Sequence, residues 1–383
     1  MRKAALLALL VAAFVGRTGL WSAEPGRPEA RSGTGRTEAR SALRTAGTLL
    51  YVCVQDDAKI AVVDMAAKSV VRTIDLQTLG FPATAKPHFI AVEPGGAHWY
   101  VSLIGANRVV KFDRRDRVVG HFEMETPGML ALTPAGDRLV VSRSMSAVNP
   151  PKRVAIIDTA TMAGTEVDVL FPRPHPMAVT SAGYAYTGSL GVNQIASLAL
   201  DSERVQIVQV PGATHSLVQF ALAPDGKTMV ASAEISGQLL VFDLAAPAQP
   251  ALIRSVTIGK MAFDPAFTPD GRFVWVPVKS TNEIAIVDAA GGTVTRRLTH
   301  ASFREPHQIV FSPDGMTAFV TNNNKMDHMA DPAHAGHTMP AGAGGGGVAS
   351  LSVIDVRSGT VEKAIELGRN LTGMGRSPGA TGS

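Results

Sequence analysis

Residues 269–288 read PDGRFVWVPVKSTNEIAIVD. Pro-Asp-Gly makes a tight turn, because Pro presets the first bend and Gly accepts the positive φ at its end. The two runs behind it, RFVWVPV and EIAIVD, alternate apolar side chains with the period of two that marks half-buried strands. Similar turns recur as Pro94-Gly95-Gly96, Pro134-Ala135-Gly136, Ser181-Ala182-Gly183, Pro224-Asp225-Gly226 and Pro313-Asp314-Gly315. Their third residues are spaced by 40, 47, 43, 45 and 44 positions, and a third strand closes 17 residues later at Asp113, Asp243 and Asp288, with Leu200 in that place in the fourth unit. A repeat of that length supplying about four strands is a propeller blade.

Six such blades begin near residues 86, 126, 173, 216, 261 and 305, whereas the stretch from Leu49 to Leu76 holds only the last three strands of another. The missing inner strand is expected at the C-terminus, where Thr372-Gly373-Met374-Gly375-Arg376-Ser377-Pro378-Gly379 aligns with His307-Gln308-Ile309-Val310-Phe311-Ser312-Pro313-Asp314. The expected fold is therefore all-β, a seven-bladed β-propeller over 48–383 whose first blade is closed by the C-terminal strand. Such closure leaves no open sheet edge. It also needs no disulfide, and Cys53, the single cysteine, could form none within the chain.

The start of the chain reads differently. Met1-Arg2-Lys3 followed by an apolar run from Ala4 to Val15 has the form of a secretory signal peptide, assigned to 1–23, which predicts a periplasmic or secreted protein. That run is about 12 residues where a bilayer needs about 20, so no permanent membrane span is expected. Residues 24–47 mix Pro, Gly, Ser and spaced Arg with little apolar content, a flexible linker by composition. The first 47 residues carry 8 Lys and Arg against 3 Asp and Glu, leaving 28 against 29 beyond them, a net charge of −1. The basic balance thus belongs to the leader and linker, which argues against nucleic acid as the partner of the folded part.

The repeats resemble the YVTN-type propeller repeat, through Leu50-Tyr51-Val52, Phe319-Val320-Thr321-Asn322, Ile354-Asp355 and the Pro-Asp-Gly turns, over nearly everything after residue 48. That group is similar to the propellers of haem d1 nitrite reductase and nitrous oxide reductase, with related repeats in lactonase-like and surface proteins. The resemblance implies the fold and leaves the activity open.

In a propeller the channel mouth collects the turns that enter each inner strand and those between second and third strands. Three blades enter through Lys86-Pro87-His88, Arg173-Pro174-His175 and Glu305-Pro306-His307, so His88, His175 and His307 are expected to ring the mouth and to be candidates for holding a cofactor. The bland reading is that Pro sets the entry angle while each His bonds a backbone carbonyl. Gly128, Val218, Phe263 and Thr372 occupy the matching positions, so the many-histidine copper cluster of nitrous oxide reductase is not carried over. Lys260, Met261 and Asp264, at the start of the sixth inner strand, receive no role, and the extra residues around Met145 and Asn149 read as a rim loop.

A sharper signal is an insertion. Gly315 to Asp355 spans 40 residues where 17 is the norm, and the loop at 325–347 contains Met326, His328, Met329, His334, His337 and Met339. No apolar periodicity accounts for them. Imidazole with thioether suits copper, with zinc the rival through the histidines and Asp327 or Asp331. The insertion joins second and third strands, so it leaves from the mouth face, as do His215 and His300. The bland reading is an insertion with incidental His and Met among Gly and Ala. Cys53, in an alternating strand, reads as an inert buried residue. CxxCH is absent, so no c-type haem is attached, and no nucleophile elbow, phosphate loop or dinucleotide fingerprint is present.

Together these features predict an exported binding module with a protein or small-molecule ligand at the mouth and copper in its His/Met-rich loop. The alternatives are a metal- or haem-dependent oxidoreductase using the mouth histidines and a lactonase- or lyase-like propeller enzyme.

Overall fold

The computed structural model describes residues 47–379, except 148, 150 and 326–346. These residues form seven four-stranded antiparallel sheets arranged as the blades of a ring. Innermost strands Pro87–Val92, Pro127–Leu132, Pro174–Val179, Leu217–Leu222, Ala266–Phe267 and Pro306–Phe311 open blades two to seven. Blade one takes its inner strand, Leu371–Arg376, from the other end of the chain. Among the described residues no helix is long and apolar enough to cross a membrane.

Each blade packs its apolar faces against its neighbours. Trp99 and Trp275 lie almost wholly buried between blades, Trp99 stacked on Tyr51 at 4.8 Å and Phe112 at 4.1 Å between ring centroids. Cys53 is fully buried in the same cluster, and burial pushes its thiol well above the usual range, as expected of a packing residue.

Closure is an antiparallel ladder with one bulge, Leu50 standing opposite Arg376, Tyr51 opposite Gly375, Val52 opposite Met374 and, past the bulge, Val54 opposite Leu371. Leu49 and Ser377 bond twice, each contact 2.8 Å. Before the strand, Arg369 grips Asp57 at 2.7 Å and Asn370 donates to Asp56 Oδ1 at 3.1 Å.

At the face opposite the mouth, the tight turns interlock. Gly271 has φ 71°, which favours glycine, and a Cβ there would lie 3.3 Å from Pro224 of the preceding blade. The same Pro-on-Gly contact joins Pro378 to Gly96, Pro94 to Gly136 and Pro269 to Gly315. Blade four breaks the chain of wedges: its turn is Ser181-Ala182-Gly183, and no atom stands within 4 Å of a Cβ on Gly183 or on Gly226 of the next blade.

Candidate functional site

Every inner strand is entered through a residue in the left-handed region: Asn370, Lys86, Thr126, Arg173, Ser216, Met261 and Glu305, with φ between 42° and 58°. Non-glycine residues rarely adopt this conformation. Directly behind it the ladder slips by one residue in blades one to five and seven, a β-bulge at the mouth. The backbone N–H freed by the bulge is taken up by a hydroxyl of the second strand in four blades: Phe89 by Ser102, Met129 by Ser142, Gln219 by Ser232 and Gln308 by Thr321, at 3.1–3.3 Å. The bulged positions include His88, His175 and His307.

All three histidines are buried, at 6%, 2% and 6% exposure. His88 and His307 stand edge to face with ring centroids 6.5 Å apart. His88 Nδ1 donates to Gln55 Oε1 at 2.9 Å, and His175 Nδ1 donates to the Val218 carbonyl at 2.6 Å. Each imidazole is thereby held in the tautomer whose Nε2 carries a lone pair, and both Nε2 atoms are buried without a partner. A backbone-carbonyl partner, the bland reading of these histidines, therefore holds at His175 only, and there it leaves the second nitrogen bare. His307 Nδ1 is likewise buried without a hydrogen bond.

Blade six departs from the expected repeat, and the reason is proline. Pro277 accepts from the Phe263 N–H through its carbonyl at 2.9 Å, so its inner side is the one that lacks an N–H. Pro265 interrupts the inner strand itself, and regular pairing is confined to Ala266–Phe267. The freed chain turns to the next blade, where the Asp264 N–H bonds the His307 carbonyl at 3.1 Å. This detour buries Asp264 in the mouth with neither carboxylate oxygen hydrogen-bonded, and Oδ2 lies 3.8 Å from His307 Nδ1. Lys279, also buried, donates to Asn323 Oδ1 and stands 3.5 Å above the Phe263 ring centroid.

Burial dominates the electrostatics. It lowers His88 to about 3, with the charges of His175, Lys279 and Lys325 adding to the effect. His175 falls to about 4, again by burial, against a raising contribution from its bond to Val218. His307 is driven well below the ordinary imidazole value by burial, then by Lys279. Asp264 is pushed up to about 7 by burial, with Lys279 pulling it back, and Lys279 falls to about 8 by burial despite Glu305, Asp264 and Glu234. The imidazoles are thus neutral bases at neutral pH, the form that binds a metal or accepts a hydrogen bond.

The mouth is divided. Leu190, Val218 and Phe263 form an apolar cluster with Met145 and Met261 packed on it, while the imidazoles, Asp264, Asn323 and Asn370 form the polar side. Blade three carries no histidine because a Cβ on Gly128 would fall 2.4 Å from the Arg143 carbonyl oxygen and 2.7 Å from the Ser144 nitrogen, both backbone. Gly128→Ala is expected to lower stability by about 3 kcal/mol, the upper end of overpacking costs. Equilibrium denaturation checks this, and a loss below about 0.5 kcal/mol contradicts the close approach.

Other sequence candidates are placed as follows. His215 is buried with both nitrogens bonded, to Ser236 at 2.9 Å and the Pro211 carbonyl at 3.0 Å, so it is structural. His300 is exposed and bonds Ser302. Met326, His328, Met329, His334, His337 and Met339 lie outside the described residues; the flanks of their segment are joined where Asn324 donates to the Val348 carbonyl at 2.8 Å, at the mouth end. Among the described residues, no three His, Cys, Asp or Glu side chains are grouped so as to hold a metal ion. Sequence reasoning gave Asp264 no role and passed over Lys279; the signal for the first was a proline inside an expected strand.

No protein-family model matches the chain, and no curated protein matches it. Solved structures do. Hydrazine synthase of Kuenenia stuttgartiensis aligns at 15% identity and a TM-score of 0.58, over 75% of this chain and 96% of that one. The dihydro-haem d1 dehydrogenase NirN aligns at 14% and 0.58, over 88% and 76%. A putative 6-phosphogluconolactonase of Bacteroides fragilis aligns at 14% and 0.64, over 87% and 99%. At these identities the likeness establishes the propeller fold.

Proposed function

We propose that this chain is an exported binding module of the YVTN-type repeat class that holds copper at the channel mouth, between His88, His175 and His307 and the Met/His ligands of the 325–347 loop. The observation that carries the reading is the pair of buried, unpartnered Nε2 lone pairs of His88 and His175, each fixed by an Nδ1–H donated to an oxygen. Metal-ligating histidines are oriented in this way, by a second hydrogen bond on the far nitrogen. The loop leaves the ring at the same end and supplies the thioethers and imidazoles that a cuprous ion prefers. Export rests on the amino-terminal charge and apolar run.

A second reading is a metal- or haem-dependent oxidoreductase using the same histidines, supported by the likeness to a dihydro-haem d1 dehydrogenase. A lactonase-like activity rests on the fold of the phosphogluconolactonase neighbour alone. Elemental analysis and a visible spectrum of protein purified from its exported compartment separate these. Copper near one equivalent, abolished by alanine at His328, His334 and His337, is expected. Unchanged copper affinity in that variant ends the copper reading, and a haem spectrum selects the second.

A further inference from the structure

We infer that Asp264 Oδ2, His307 Nδ1 and His88 Nε2 are the ligands of one borderline divalent metal ion, a site distinct from the soft ligands of the loop. The inference rests on the reading of the mouth as a metal-binding end; it shares His88 and His307 with the copper site proposed above but needs neither copper nor the 325–347 loop.

Two prolines, Pro265 and Pro277, carry Asp264 out of its own blade and against His307 of the next. The result is a buried carboxylate and a buried imidazole nitrogen that face each other without bonding, 3.8 Å apart. That separation is too long for a hydrogen bond. It is close to the span between two ligands each about 2.1 Å from a shared ion. The His88 ring stands 6.5 Å from the His307 ring, edge to face, with its free Nε2 fixed as a lone pair by Gln55. Two imidazoles on one ion have centroids about 5–6 Å apart for bonds of about 2.1 Å, so closing the set requires the His88 ring to move towards His307. Among the described residues no three such groups are already assembled around a point.

Two neutral imidazoles and one carboxylate, with positions left open, suit Zn(II), Fe(II) and their neighbours better than a cuprous ion, which favours sulfur. The apolar cluster of Leu190, Val218 and Phe263 walls the other side of the mouth from water. Two nearby cations work against the ion, Lys279 more than Lys325. Lys279 is buried in the same mouth, whereas Lys325 is already paired with Asp56 at 3.6 Å, and Glu305 and Glu234 face Lys279 electrostatically. Removing the Lys279 charge should therefore strengthen binding.

The full chain, stripped with a chelator, is titrated with Zn(II) by calorimetry and with Co(II) by its visible ligand-field bands. Wild type and the His328, His334, His337 triple alanine variant are expected to bind one Zn(II) with equal affinity. Asp264→Asn should weaken Zn(II) by about 100-fold or more and shift or abolish the Co(II) bands, exceeding what loss of an outer hydrogen-bond partner costs. Lys279→Met should tighten Zn(II) about tenfold, as removal of a like charge requires. If Asp264→Asn does not fold, His88→Gln provides the same readout. Unchanged affinity in a folded Asp264→Asn or His88→Gln protein overturns the inference, as does zinc uptake lost only in the triple variant. Zinc uptake that survives while wild type fails to bind copper supports this site and overturns the copper reading alone.

Discussion

Removing every residue after Arg369 is expected to leave a chain without a cooperative thermal transition. The deleted strand is buried along most of its length, with Leu371 at 0%, Thr372 at 3% and Met374 at 2% exposure. It also fills the space between blades two and seven: a Cβ on Gly373 would meet the His88 carbonyl at 2.3 Å, and Thr321 of blade seven donates to the Thr372 carbonyl at 2.9 Å. Its loss uncovers the apolar side of Leu50, Val52 and Val54 and leaves a row of unpaired backbone groups on blade one. Burying Leu371 and Met374 alone contributes about 3–6 kcal/mol on transfer values, comparable to the whole net stability of many domains, about 5–15 kcal/mol. Circular dichroism melting and limited proteolysis are the checks. A truncated protein that melts sharply within a few degrees of wild type would show that the ring does not depend on this closure.

Acidification is expected to destabilise the metal-free protein steeply between pH 6.5 and 4.5. In the folded state His88 titrates near 3, His175 near 4 and His307 well below its ordinary value, whereas in the unfolded chain each titrates near 6.5. Across that window the unfolded chain therefore binds about three more protons at these sites, and stability present above pH 6.5 is lost as pH falls. Asp264 opposes this, because its folded value near 7 exceeds the ordinary aspartate value of 3.8, so the folded state holds one extra proton there. The balance is about two protons in favour of unfolding, a slope of roughly 3 kcal/mol per pH unit and a loss of roughly 5 kcal/mol over the window. Melting temperature against pH measures it. A flat profile over this range would mean that the imidazoles are charged in the fold, which would also remove the lone pairs on which metal binding depends.

The ring itself was legible because its signal repeats. Pro-Asp-Gly turns at nearly constant spacing, period-two strands and the missing inner strand of blade one each pointed to the same closed architecture, and the match of residues 372–379 to 307–314 located the closure. The three histidines were placed by the same argument, since equivalent positions in a repeat occupy equivalent places in the ring. What the sequence concealed is the local machinery that presents them. Left-handed conformations at Lys86, Arg173 and Glu305 are imposed by the tertiary context, because no ordinary propensity selects these residue types for it. The hydroxyls of Ser102, Ser142, Ser232 and Thr321 looked like unremarkable strand residues, and only the bulges reveal that they satisfy a displaced N–H. Asp264 was noted at the start of its strand but received no role, because its final position depends on Pro265 beside it together with Pro277 in the adjacent strand, a pairwise effect that either proline read alone does not reveal.

The wedges between successive turns bear on the mechanics of the ring. Where a pyrrolidine sits on the next glycine, neighbouring blades resist sliding past one another on that face, but both flanks of Ser181-Ala182-Gly183 lack such a stop. Those two seams are held by side chains instead: Arg138 donates to the Leu200 carbonyl on one flank, and the Tyr186 hydroxyl donates to the Pro247 carbonyl at 2.8 Å on the other. Blade four, which carries His175, is thus locked to its neighbours by single polar side chains where other seams rely on a proline against a glycine, so one substitution at Arg138 or Tyr186 loosens a seam that elsewhere only loss of a ring would loosen.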